Sequence, residues 1–563
     1  MKQSVRKVIV LLLCAVLLAG LFAGCGNSAK TDTPQTDTPK TDTPKTDTPK
    51  TDTPAPPAAT PSAVEGTPPP DDEYVKLTVG VSSYLGGFIT GGMKLAESSH
   101  ACDAVFNAVW YVDPATYEIK SDILTDWYWE DDTTLICKMR DDIVFSNGDK
   151  ATAEDLLYSF TSLTERGAFL WVANMHLLPD ECELRDTYTC ALKVSSKDEL
   201  LFTAVTYLYD KSWAESVGWE SMDWFQPVGS GPYYVAEYEP EHRMVLKLRD
   251  EYWERPISDF YVDEWEIIYF ANATTMYMAM EIGDIDINCT IGESDYKRFL
   301  KEGGEDFTVV GKPTGVVSHF DFGYICNDCW YDKRVRQAVA YGVPWDEFGE
   351  LSYGVLYYPA TSFAVHDSAL YENVGRYEYD LEKAKALLAE AGYGPGECKI
   401  QTYMQDHAAT ITQGEALKFY LEEIGFATDF TFTSTWGQKL QTTEIEFGTH
   451  FNARGSGTRN PTASLNMAGV RSLPFLYIDD AKFQELYVPL AESFDKPASE
   501  RMALAKELQH YVFDECLVIP IAETQTVIGF RTKYLSGQQM MDCTLTSNNV
   551  YLSKLALKEN YMK

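Results

Sequence analysis

The sequence predicts an α/β fold, and three stretches carry that prediction. In the first, Leu135, Cys137 and Met139 alternate with Ile136, Lys138 and Arg140, the period of a half-buried strand. Asn147-Gly148 then tolerates the positive φ of a tight turn, and Leu156, Phe160 and Leu163 recur on one helical face behind a Thr152 cap, with Asp155 near the helix N-terminus. In the second, Asp380 caps a helix to Ala391 whose Leu381, Ala384, Leu388 and Ala391 share a face and whose stop is Gly392. In the third, Glu415 to Gly425 repeats the pattern through Leu417, Leu421 and Ile424 and runs into a strand from Ala427 to Phe432. Helix and strand in alternation build layered α/β lobes.

The N-terminus has its own chemistry. Lys2, Arg6 and Lys7 precede an apolar run from Val8, and small residues close it at Ala23-Gly24-Cys25, the layout of a secretory signal. Val8 to Ala23 is 16 residues, short of the roughly 20 that span a bilayer. Ala23-Gly24-Cys25 resembles a lipobox, with Phe22 where Leu is usual, so Cys25 is the expected lipid anchor. The division is then a signal over 1–24 and a linker over 25–73. In the linker Thr-Asp-Thr-Pro recurs from Thr31, Thr36, Thr41, Thr46 and Thr51. Such a tract has too few large apolar side chains to bury a core, and its prolines bias it to an extended spacer.

From Tyr74 onward 490 residues remain, enough for two or three lobes. The chain carries 47 basic and 84 acidic residues, a net −37 that becomes about −40 without the three cations of the signal. That surface excludes nucleic acid as a partner. Of 12 cysteines, ten remain once Cys14 leaves with the signal and Cys25 takes lipid. An exported chain can pair them. Cys182 and Cys190 are close enough to bridge a small loop. Cys326 and Cys329 have CxxC spacing, but no second CxxC completes a zinc site, so they read as structural or free. Leu77 to Ser82 reads as the first strand, Ser499 to Phe513 as a late helix and Leu517 to Ile521 as an apolar strand after it. Gly229-Ser230-Gly231 reads as a turn, since no Walker or GxSxG pattern surrounds it.

Catalytic patterns do not stand out. The eight histidines show neither HxxxH nor HExxH spacing, and no nucleophile motif is evident. No cofactor or metal is expected. A binding protein and an exported hydrolase, such as a peptidase or glycosidase, remain as classes, and turnover of peptides separates them.

A resemblance then decides between the two. Met139-Arg140, Val144-Phe145, Gly148, Thr152-Ala153-Glu154-Asp155 and Ser159 fall without a gap on the signature of family 5 extracellular solute-binding proteins, the oligopeptide and dipeptide receptors of ABC importers, with Asp142 where the family usually has Gly. Gln226 to Tyr233, Arg249 to Pro256, Gly283 to Asp286 and Tyr331 to Val339 are similar to further family segments, and the likeness runs from Leu77 to about Glu523. It implies a type II periplasmic-binding-protein-like α/β fold with two main lobes, an extra third lobe and a ligand cleft between lobes I and III. Lobe I is expected over 74–105, 226–322 and 521–563, lobe II over 106–225 and lobe III over 323–520, hinged at crossovers near Tyr324 and Pro520.

The resemblance also implies a role. The chain is expected to be an exported lipoprotein on the outer face of the cytoplasmic membrane, monomeric, capturing peptides or a related small solute for a permease and ATPase. Relatives carry nickel chelates, opines, haem and sugars, so a non-peptide solute is the alternative. Peptide receptors of the family have Gly-Trp-x-x-Asp-x-x-x-Pro near the cleft, its Asp pairing the peptide ammonium. Counting back from Pro461 puts Gly457 at that Asp and Arg454 at the Trp. The expected ligand-binding set is Arg454, Gly455, Ser456, Gly457 and Arg459, with His319, Phe320 and Glu523. Glu444, Glu446 or Glu523 could replace the Asp, whereas Arg454 and Arg459 could meet a carboxylate or phosphate through paired hydrogen bonds.

Overall fold

The structure, a computed structural model, describes residues 69–559 apart from 71–72, 83–87, 89–98, 113–118, 166–174, 198–199, 204–205, 241, 305, 323–327, 367, 369, 406–407, 434–449, 456–479, 495 and 544–549. Cys25, the linker, Tyr324, Cys326, Ser456, Gly457 and Arg459 lie outside those residues. Among the described residues no helix is long and apolar enough to cross a membrane.

Strand β1 (Lys76–Val81) buries Leu77, Val79 and Val81 at the centre of the main sheet. After the helix Ser99–Val105, β2 (Tyr111–Val112) and β3 (Ile119–Lys120) form a short hairpin. A second sheet follows, built from β4 (Leu124–Asp131), β5 (Thr134–Met139), β6 (Glu183–Asp186) and β7 (Thr189–Lys193) in the order β4-β5-β7-β6. The chain returns to the main sheet through β8 (Tyr233–Glu239), β9 (Arg243–Leu248), β10 (Glu264–Tyr269), β11 (Ile287–Asn288) and β12 (Phe307–Asp321). Then come β13 (Tyr358–Pro359), the pair β14 (Lys399–Gln405) and β15 (Ala427–Thr433), β16 (His450–Gly455) and β17 (Val518–Arg531). The main sheet runs β16-β12-β17-β11-β1-β10-β9-β8, with β13 added to β17. β1 is parallel to β10 and β11, and β14 is parallel to β15 across the helix Ala408–Ile424, as crossover α/β connections require.

The strand-turn-helix opening of the second sheet follows its residues. Gly148 sits at φ +93, and Thr152 and Asp155 close a reciprocal capping box at the helix Ala153–Thr161. Leu156, Phe160 and Leu163 are buried with Leu135, Cys137 and Met139 in one core. Asp142, unusual for the signature, makes an ion pair with Arg140 at 2.8 Å. The Gly229-Ser230-Gly231 turn packs against the helix Ser99–Val105: a Cβ on Gly229 would lie 2.0 Å from the Val105 carbonyl oxygen, so only glycine allows the approach. The Ser230 hydroxyl accepts from the Asn107 backbone N–H at 2.9 Å.

Two elements differ from the sequence expectation. The helix before β15 starts at Ala408 instead of Glu415, and the strand beginning near Leu517 continues to Arg531. Cys182 is not bridged to Cys190. Both are free thiols, and Cys190 lies opposite Cys137.

The apolar residues divide into separate cores. One gathers β1, β8, β9 and β10 with the C-terminal helices, a satellite beneath it holds Met276, Met280 and Phe307, and another fills the second sheet. Beyond β12 a further core centres on Trp330, Val335, Val339, Leu417 and Ile521, adjoined by one under the helices Ala481–Glu492 and Ala498–Asp514.

Candidate functional site

Two strands link these cores. On β12, Phe307 and Val310 belong to the cores around β1, while Phe320 belongs to the core of Trp330. On β17 the order is reversed: Ile519 and Ile521 lie in the Trp330 core, and Val527, Ile528 and Phe530 lie in those around β1. Their pairing breaks register between Pro313 and Val317, opposite Gln525 and Glu523, and again between Ser318 and His319. Proline lacks the N–H a ladder needs and is tolerated at such a break. The irregular backbone therefore sits where the strands leave one core for the next.

Residues far apart in sequence meet there. Val317 pairs with Arg454 on one side and Glu523 on the other, and Glu523 pairs with Tyr358, so four strands place Arg454, Val317, Glu523 and Tyr358 in one row. Glu523 is 3% exposed, and its carboxylate accepts from the His366 backbone N–H at 2.9 Å and faces His366 Nδ1 at 2.5 Å. The His366 ring packs against Tyr358 with centroids 5.4 Å apart. Burial, then the Glu523 charge, raises the Tyr358 phenol above its ordinary pKa. Arg376 braces the segment from below, donating to the Ala360 and Ile521 carbonyls and the Tyr357 hydroxyl.

The expected site residues fall into three groups. Arg454 and Gly455 end β16 beside Val317 and Val316, which brings their backbone to the Glu523 row. His319 and Phe320 are fully enclosed. Phe320 packs edge-on against Phe322, and His319 Nε2 lies 3.0 Å from Asp321 Oδ1, while Nδ1 faces the Val317 carbonyl at 3.1 Å. Ser456, Gly457 and Arg459, with Glu444 and Glu446, lie outside the described residues. His366 and Tyr358 escaped the sequence reading. The one available signal was the aromatic pair Tyr357-Tyr358 ahead of Pro359, since His366 sits in no periodic pattern. Among the described residues no cluster of three or more His, Cys, Asp or Glu could hold a metal ion.

A double-stranded bridge thus joins separate cores, with the row of Arg454, Val317, Glu523 and Tyr358 at the junction. The family model of bacterial extracellular solute-binding proteins, family 5, matches residues 118–471, more than half of the chain, and the chain belongs to that family. The family is one of solute-binding proteins and not of enzymes. The peptidoglycan-binding protein YepA of Agrobacterium fabrum is 25% identical over 244 residues, 39% of this chain and 39% of its own length. The chain thus matches about two fifths of that relative. The ABC-transporter-associated periplasmic binding protein DppA of Helicobacter pylori, solved with the peptide STSA, superposes with a TM-score of 0.70 at 18% identity, over 86% of this chain and 97% of that one. AgaA of A. tumefaciens R10, solved with agropinic acid, gives a TM-score of 0.69 at 17% identity over 85% and 97%. At these identities the structures establish the fold, a type II periplasmic-binding-protein-like one.

Proposed function

We propose that this chain is the surface-anchored receptor of an importer for peptides or a related small solute. Cys25 carries the lipid, and the Thr/Asp/Pro tract lifts the lobes off the outer face of the cytoplasmic membrane. The lobes, 74–105 with 226–322 and 521–563, then 106–225, then 323–520, close on the solute, and a permease and ATPase receive it. The observation that carries this reading is the β12–β17 junction: two strands, both out of register between cores, beside the row that holds Arg454 and Glu523. A ligand shifts an open–closed equilibrium only by binding one state better, and enclosure between lobes supplies that difference.

The chemistry of the row favours a solute held without the usual ammonium contact. Gly457 stands at the position of the family's Asp. Glu523, a candidate replacement, already accepts from the His366 backbone and faces its imidazole. A buried ammonium without a partner costs several kcal/mol, roughly 3–5 where a pair is broken. Arg454 on the same row suits an anionic group, and AgaA was solved with an acid. Calorimetry with matched free and N-acetylated peptides tests this. Comparable affinities are expected, and abolition of binding by acetylation would mean that a carboxylate pairs the amine.

A further inference from the structure

We propose that Cys137 and Cys190 are a disulfide site, joined when the chain folds after export. The two residues are direct partners across the antiparallel ladder of β5 and β7. Directly opposite residues of such a pair lie about 4.5–5.5 Å apart at Cα, inside the roughly 4.4–6.8 Å that a disulfide spans. They point to the same face, because side chains across a ladder do. Both are 0% exposed, in the core with Leu135, Leu156 and Phe160.

The competing partner is Cys182, eight residues before Cys190, and the fold directs it elsewhere. Leu184 is the residue opposite Cys190 on β6. The Cys182 sulfur donates to the Leu178 carbonyl at 3.4 Å and accepts from the Lys193 N–H at 3.3 Å. It closes a turn at the margin of the sheet, while Cys137 and Cys190 face each other within it.

The oxidation balances as a thiol–disulfide exchange. The two thiols lose two protons and two electrons as the Sγ–Sγ bond forms, and the disulfide of an extracytoplasmic oxidoreductase takes both up and becomes a dithiol. Timing follows from burial. Enclosure raises the Cys137 thiol well above its ordinary pKa, so little nucleophilic thiolate exists once the core has closed. The exchange therefore precedes closure, and the same burial afterwards shields the bond from reductants.

The proposal rests on the export reading, and two samples separate the two. The full chain recovered from the membrane fraction of an exporting cell is denatured without reductant, alkylated and mapped by mass spectrometry. The peptides bearing Cys137 and Cys190 are expected as one linked species, with Cys182 alkylated. The unfolded, reduced chain is also refolded in a glutathione redox buffer and mapped in the same way, which tests the geometry without export. Linkage of Cys182 to Cys190, or alkylation of both Cys137 and Cys190 in both samples, overturns the proposal. Linkage on refolding with free thiols in the recovered chain overturns the cellular half of it.

Discussion

Asp103 is a single carboxylate whose surroundings oppose its charge. Its Oδ2 accepts from the Ser553 backbone and hydroxyl at 3.3 and 3.0 Å, but its Oδ1 is buried with no donor. Burial is the largest effect and raises its pKa from 3.8 to about 7, against the pull of Ser553 and Lys554. Between those values the folded chain holds a proton that the unfolded chain releases, so stability falls as pH rises through the window and the deficit is complete above it. Each unit of displacement is worth about 1.4 kcal/mol. Asp103→Asn removes the titration, and its urea midpoint is expected to fall less than the wild-type midpoint between pH 4.5 and 8. Equal falls would show that Asp103 does not set this dependence. At the same scale, the Thr152 and Asp380 caps were readable because a cap needs only local chemistry. His366 and its tie to Glu523 were not, since 157 residues separate them and only the fold brings them together.

Elements that lie inside one core follow their own periodicity, and elements that leave a core do not. The helix Leu381–Glu390 buries Ala384 and Leu388 as its spacing predicts, though Leu381 remains half-buried. β17 reads as a short strand because Glu523, Thr524, Gln525 and Thr526 interrupt its apolar run, and those residues occupy the junction between cores. β12 is hidden for the same reason, with Gly311, Pro313 and Gly315 inside a strand. The helix Ala481–Glu492 contains Pro489, which reads as a breaker, yet Tyr487 and Leu490 anchor it in the core. Just beyond it, Phe494 packs between Phe202 at 5.2 Å and Trp129 at 6.5 Å, aromatic residues of the second sheet's core. In the proposed closure this contact ties lobe III to lobe II. Aromatic pairs contribute about 0.5–1.5 kcal/mol each, so with both lost Phe494→Ala is expected to weaken solute binding roughly 5- to 150-fold. Titration calorimetry reads this. Unchanged affinity would mean that the contact takes no part in closure.

For the whole molecule, the family and the α/β class were legible because the signature of strand, turn and helix is contiguous in sequence, and the family match includes it. The cleft was legible only in outline: Ser456, Gly457 and Arg459 lie outside the described residues, and the Glu523 row is assembled from four strands. The proposed anchor makes a separate prediction. Cys25→Ala is expected to release the chain from membrane fractions, since stable attachment needs more than one acyl chain and the variant has none. Retention of the uncut variant in the pellet, as for the wild type, would contradict a lipid anchor at Cys25.

The most direct test of the account is small-angle scattering of the chain beginning at Tyr74, alone and saturated with the solute that mass spectrometry identifies in the purified protein. Closure about the β12–β17 junction predicts a smaller radius of gyration with solute bound. An unchanged radius at saturation would contradict a receptor that encloses its ligand between lobes.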